Sequence, residues 1–241
     1  MNPLLRLTGL CKAYGDVPVL EQLDLEIGAG LFCGLVGANG SGKSTLMRCI
    51  AGIEQADGGT IEIGGHSLQG DLLLARAALG YAVDVGSLPS ELTGRQCLEL
   101  VSQMRGLPSP DAEAFALAEA LDLMPWLDRW VHAYSLGTRQ KLSVVLALIG
   151  RPKLVLLDES LNGLDPVAAF TLKYYLRERV RSQGCSVLLA THAIESVEFW
   201  DRALLLDRSI VRQWNIAEAH ISGTVLEREI VAVLSAGKPR L

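Results

Sequence analysis

The sequence predicts an α/β fold built on a parallel sheet, and three observations carry that prediction. Residues 31–36 are apolar and read as a buried strand that runs through a Gly-rich turn into residues 46–50, which read as the first turns of a helix. Residues 154–157 are uniformly apolar, as in a strand covered on both faces, and this is typical of parallel sheets. Residues 186–190 form a further β-type run ending in Thr191 and His192.

Size and composition allow this fold. The 241 residues suffice for one large α/β domain or two small ones, and a hydrophobic fraction of 49% supplies a sizeable core. The net charge is −5 with no run of Lys or Arg, so a nucleic-acid partner is not expected. The cysteines Cys11, Cys33, Cys49, Cys97 and Cys185 are scattered without a CxxC pair, which suits reduced core residues in a cytosolic protein. The N-terminus has no signal-peptide pattern, and no apolar run nears the roughly 18 residues of a membrane span. Work at a membrane would need a spanning partner chain.

Taken in order, residues 4–9 and 19–27 alternate apolar and polar and read as half-buried strands. Tyr14 lies in the turn between them and fits a core position or a platform for a flat base equally well. The turn after the first buried strand contains Gly37, Ala38, Asn39, Gly40, Ser41, Gly42, Lys43, Ser44 and Thr45. This is P-loop spacing in its proper strand–turn–helix setting. Its glycines let successive N–H groups point into one concavity at a helix N-terminus, where an anion is favoured. Lys43 can reach terminal phosphates, and the Ser44 hydroxyl is a hard oxygen suited to magnesium.

Residues 60–65 and 79–83 read as strands, and from Glu91 the pattern turns helical. Gly106 to Pro108 breaks that helix, and a new one is expected with Ser109 as N-cap and Pro110 in the first turn. Residues 84–150 thus read as a mostly helical insertion, closing with a helix over 138–149. The buried strand at 154–157 ends in Asp158 and Glu159, where α/β folds bind ligands. Asp158 would hold magnesium and Glu159 would polarise an attacking water. Asp165 can cap a helix from Pro166 to Gln183, closed by Gly184. His192 ends a third buried strand and is expected at the γ-phosphate. Residues 203–207 and 210–214 read as a hairpin, and the tail beyond Ile216 as a short amphipathic helix.

Together these motifs make the chain resemble the nucleotide-binding subunit of an ATP-binding cassette (ABC) transporter, along roughly residues 4–215. Residues 37–45 match the family's Walker A motif and residues 154–159 its Walker B with catalytic glutamate. Tyr134, Ser135, Leu136, Gly137 and Thr138 match the signature, Gly163 to Asp165 the D-loop, and His192 the switch histidine. Walker motifs occur in many NTPases; the signature, D-loop and histidine together are specific to this family. No Asn-Lys-x-Asp stretch supports a GTPase. A soluble cassette acting on DNA or ribosomes would carry a long coiled coil or a second cassette.

The resemblance implies a P-loop NTPase (RecA-like) core with an antiparallel β subdomain and a helical subdomain at about 84–150. It implies a cassette over 1–220 and a short extension over 221–241. Tyr14 would stack on adenine. Two subunits, identical or different, would pair head to tail around ATP and Mg2+, with Ser135 and Gly137 acting across the interface, Asp165 binding the nucleotide, and Lys43, Glu159 and His192 catalytic. A separate transmembrane permease would use the motion for export, with import as the alternative, from the inner, cytoplasmic face of the membrane. One departure matters: Asp84 stands where the family usually has a glutamine that touches magnesium and the attacking water. Aspartate can still ligate the metal, but it brings negative charge toward the γ-phosphate.

Overall fold

The computed structural model describes residues 2–192 and 194–236. The chain opens with the antiparallel pair β1 (Leu5–Tyr14) and β2 (Val17–Ile27), then enters the buried strand β3 (Phe32–Val36) and helix α1 (Lys43–Ile50). β4 (Gly58–Ile63), β5 (His66–Ser67) and the short helix α2 (Leu72–Ala77) lead to β6 (Leu79–Ala82). Helices α3 (Gly94–Met104), α4 (Ala112–Ala120) and α5 (Leu136–Leu148) follow, then β7 (Leu154–Asp158) and α6 (Pro166–Gln183). β8 (Ser186–Ala190), β9 (Arg202–Asp207), β10 (Ser209–Asn215), α7 (Ile216–Ala219) and α8 (Gly223–Ala236) complete it.

The strands form two sheets. One is antiparallel, in the order β2-β1-β4-β5; the other runs β10-β9-β3-β8-β7-β6 and is parallel except at β10. The period-2 strands lie in the first and the uniformly apolar runs lie in the centre of the second. That division follows from burial: central parallel strands are covered on both faces. Cys33, Leu35, Leu154, Leu156, Leu188 and Leu204 face the antiparallel sheet, with α1 packed between through Leu46, Met47, Cys49 and Ile50. Val155, Leu157, Val187, Leu189 and Leu205 face the other way, toward α3–α6 and α8. Burial pushes the Cys33 thiol up to about 12 and those of Cys49 and Cys97 to about 11, so they behave as inert core residues.

Three readings are corrected. The N-cap of α4 is Asp111, not Ser109: one Asp111 oxygen accepts from the Ala114 N–H at 2.8 Å and the other from the Gly150 N–H at 3.3 Å. Asp111 therefore caps α4 and anchors it beyond the end of α5, which Ser109 does not do. α3 starts at Gly94 rather than Glu91, behind a capping box in which Thr93 and Gln96 exchange hydrogen bonds at 3.2 and 2.9 Å. Residues 66–78, which gave no sequence signal, hold β5 and α2, and the exposed Leu72, Leu73 and Leu74 of α2 hid its one buried residue, Ala75.

Asp201 joins three elements of the second layer. It accepts from the Phe32 N–H at 2.8 Å and from both Arg177 nitrogens at 2.6 and 2.8 Å. Asp201→Ala would strand a largely buried guanidinium and a strand N–H together. We expect a loss of about 3 kcal/mol in chemical unfolding. A loss no larger than an ordinary surface substitution, about 0.5 kcal/mol, would show that water replaces the carboxylate freely.

Candidate active site

The floor of the site is the turn between β3 and α1. Gly40 and Gly42 take φ values of 80° and 100°, open to glycine with little strain. A Cβ on Gly42 would also come within 3.0 Å of the Val19 carbonyl. Gly42 caps α1 without any side chain, so the first-turn N–H groups keep their positive field for a ligand. Lys43 is only 7% exposed; its Nζ donates to the carbonyls of Gly37 at 2.8 Å and Ala38 at 3.1 Å. It thus staples the loop that it opens. A cavity of about 380 Å³ lies over this floor, lined by Val19, Asn39, Gly40, Gly42, Lys43, Ser44, Thr45 and Glu159.

The wall is the C-terminal end of β7. Asp158 Oδ1 is buried without a hydrogen-bond partner. Burial pushes its carboxyl above the usual range, the Ser44 hydroxyl opposes this, and the neighbouring Glu159 adds to it. Glu159 adopts a left-handed φ of 50°, uncommon for a non-glycine residue. Its N–H donates to the Ala190 carbonyl at 3.0 Å, which ties the bend to the end of β8. Its Oε2 accepts from the Asn162 amide at 3.1 Å and lies 3.0 Å from His192 Nδ1. The ends of β7 and β8 therefore bring together Asp158, Glu159 and His192. A second cavity of about 260 Å³ adjoins, lined by Ser44, Tyr81, Val83, Asp84, Gln140, Asp158, Glu159 and Asn162. Asp84 is exposed at its rim and shares it with Ser44 and Asp158.

Tyr14 is 47% exposed, which removes the core alternative. The Lys12 ammonium lies 5.5 Å from its ring centre, and its hydroxyl is pushed up chiefly by the Glu54 carboxylate. Ser135, Gly137 and Asp165 line neither cavity. Ser135 caps α5, accepting from the Thr138 N–H at 3.2 Å. A Cβ on Gly137 would approach the Gly163 carbonyl to 2.7 Å, so signature and D-loop abut within one chain. Asp165 caps α6 through the Ala168 N–H at 2.9 Å and pairs with Lys141 at 3.6 Å. Sequence reasoning missed Asn162 and Gln140: the first sat in an ordinary turn, and the second lay one turn into a helix.

Among the described residues no three His, Cys, Asp or Glu side chains are grouped to hold a metal by themselves. No helix there is long and apolar enough to cross a membrane. The pairing of one unpartnered carboxylate oxygen with a serine hydroxyl fits a magnesium ion completed by phosphate and water.

Comparison with known proteins shows the family. The ABC transporter family description matches residues 20–162. The chain is 32% identical over 235 residues to YdbJ, described as an uncharacterized ABC transporter ATP-binding protein, of Bacillus subtilis (strain 168), covering 96% of this chain and 75% of that one. It is 34% identical to the daunorubicin resistance ATP-binding protein DrrA3 of Streptomyces coeruleorubidus, over 95% of this chain and 73% of the other. It is 33% identical to the maltose/maltodextrin import ATP-binding protein MalK of Vibrio vulnificus (strain YJ016), over 86% and 56%. A solved ATP-binding subunit of an ABC transporter superposes with a TM-score of 0.85 at 26% identity, covering 96% of this chain and 99% of that one. The chain therefore belongs to the ABC transporter family, as an ATP-binding subunit that hydrolyses ATP.

Proposed function

We propose that this subunit powers export through a separate transmembrane permease, working at the cytoplasmic face of the membrane as a head-to-tail pair. Residues 1–220 form the cassette and 221–241 a short extension. ATP lies on residues 37–45 of one copy, with Tyr14 against the adenine, and under Ser135 and Gly137 of the other. Asp165 acts at the same interface. The observation that supports this reading is the split of the site: the Gly-rich turn and the carboxylates line the cavities, while Ser135 and Gly137 line neither. The helix N-terminus capped by Ser135 offers its first-turn N–H groups to an anion.

Within each site Lys43 and the first-turn N–H groups of α1 hold phosphate oxygens. Ser44, Asp158 and Asp84 would hold Mg2+, which when bound neutralises charge building on the phosphates. Glu159 takes the proton of the attacking water. His192 fixes the Glu159 carboxylate through Nδ1, while Asn162 holds the same oxygen, and the γ-phosphate contact of His192 would form in the nucleotide-bound pair. ATP then closes the pair because its contacts to Ser135 exist only in the closed state. The export direction follows the resemblance of the signature and D-loop to exporter subunits, and a named import relative keeps import as the second reading.

The test uses the ATP-loaded Glu159→Gln protein, alone and with its co-purifying membrane protein. A two-copy species lost on Ser135→Arg supports the pairing; a strictly single species in both preparations overturns it. Asp84 gives a further expectation. Replacing it with Gln removes one negative charge facing the phosphates, worth about 1.4 kcal/mol or tenfold in hydrolysis rate. Unchanged ATPase and transport rates in Asp84→Gln would remove Asp84 from the site.

A further inference from the structure

We propose that Gln140 is a positioning residue of the ATPase site: its amide, presented from α5, orders the end of the cavity where Asp158, Glu159 and a divalent cation meet. This rests on the reading of that cavity as the metal-and-water end of the nucleotide site. Gln140 is 8% exposed, and its side-chain amide has no hydrogen-bond partner among the described residues. Its polar atoms are not sealed from solvent: they open onto the cavity that the side chain lines. Gln140 lines the same cavity of about 260 Å³ as Asp158, whose Oδ1 is also buried and unpartnered. Two unpaired polar groups on one small cavity point to contents that both of them hold.

The chemistry of the lining says what those contents are. Asp84, Asp158 and Glu159, when ionised, only accept hydrogen bonds, so they draw a cation or the protons of water. The Gln140 amide has a carbonyl oxygen for a hard cation or its waters and an NH2 that can donate to a carboxylate already engaged with the metal. The Asn162 amide spends one N–H on Glu159 at 3.1 Å and lines the same cavity, so Gln140 works beside it from a different element. Gln140 also lies on the helix that Ser135 caps. A shift of the α5 N-terminus therefore moves Gln140, and with it one side of the cavity that Asp158 also lines.

Gln140→Met keeps the length of the side chain and removes both polar atoms. We expect the nucleotide-free variant to keep or slightly raise its melting temperature, because no hydrogen bond within the protein is lost. Mn2+ affinity of the ADP-loaded full chain, read by electron paramagnetic resonance titration, should fall about tenfold. The kcat should fall with KM for ATP unchanged. Gln140→Glu restores an oxygen at the same reach and should recover Mn2+ affinity. A Gln140→Met protein that melts lower while binding Mn2+ like the wild type makes the amide a packing group and overturns the proposal. Wild-type protein that binds ADP but no Mn2+ overturns the metal-end reading itself, a failure distinct from that of Gln140.

Discussion

Glu159→Gln should bind ATP as the wild type does and hydrolyse it about 100- to 10,000-fold more slowly, the range set by losing a positioned general base. The substitution is nearly isosteric. It keeps an oxygen for the hydrogen bond from the Asn162 amide, 3.1 Å long in the wild type, and removes the basicity that takes a proton from water. The left-handed backbone at Glu159 is held by its N–H bond to Ala190, which the change does not touch. Single-turnover hydrolysis against equilibrium ATP binding separates the two effects. A wild-type rate in Glu159→Gln would move the base elsewhere, and His192, 3.0 Å away, would be the next group to replace.

Lys43→Ala should weaken ATP binding about 100-fold, as expected for losing one charge-assisted contact of about 1.5–3 kcal/mol to phosphate. The same side chain holds the loop by bonds to the Gly37 and Ala38 carbonyls, so the ligand-free loop should also loosen. Nucleotide titration by fluorescence reads the first effect, and amide exchange at residues 38–41 reads the second. Full affinity with a loosened loop would reassign Lys43 from ligand contact to scaffold.

The P-loop was legible because all its chemistry is contiguous: residues 37–45 carry the turn, the charge and the hydroxyl in one stretch. Asp158 was legible because residues 154–157 drive straight into it. The pairing of Glu159 with His192 was not, since it depends on β7 and β8 lying side by side, with Asp158 opposite Ala190. Spacing along a chain does not give strand neighbours. Asp111 displaced Ser109 as a cap because a carboxylate can serve two N–H groups at once, and the second belongs to Gly150, far along the sequence. Tyr14 was undecided because an aromatic at a turn reads alike whether it faces core or water; exposure decides it. Gln140 was legible only as part of the Arg-Gln pair that follows the signature, because a helical position does not show which cavity its side chain lines.

Helix α1, clamped between the two sheets by Leu46, Met47, Cys49 and Ile50, cannot retreat from whatever sits at its tip. On the proposed pairing, the bed under the triphosphate would act as an anvil, and spent nucleotide would leave by lifting of the facing copy instead of by the bed giving way. Turnover and mechanical stroke would then be one event.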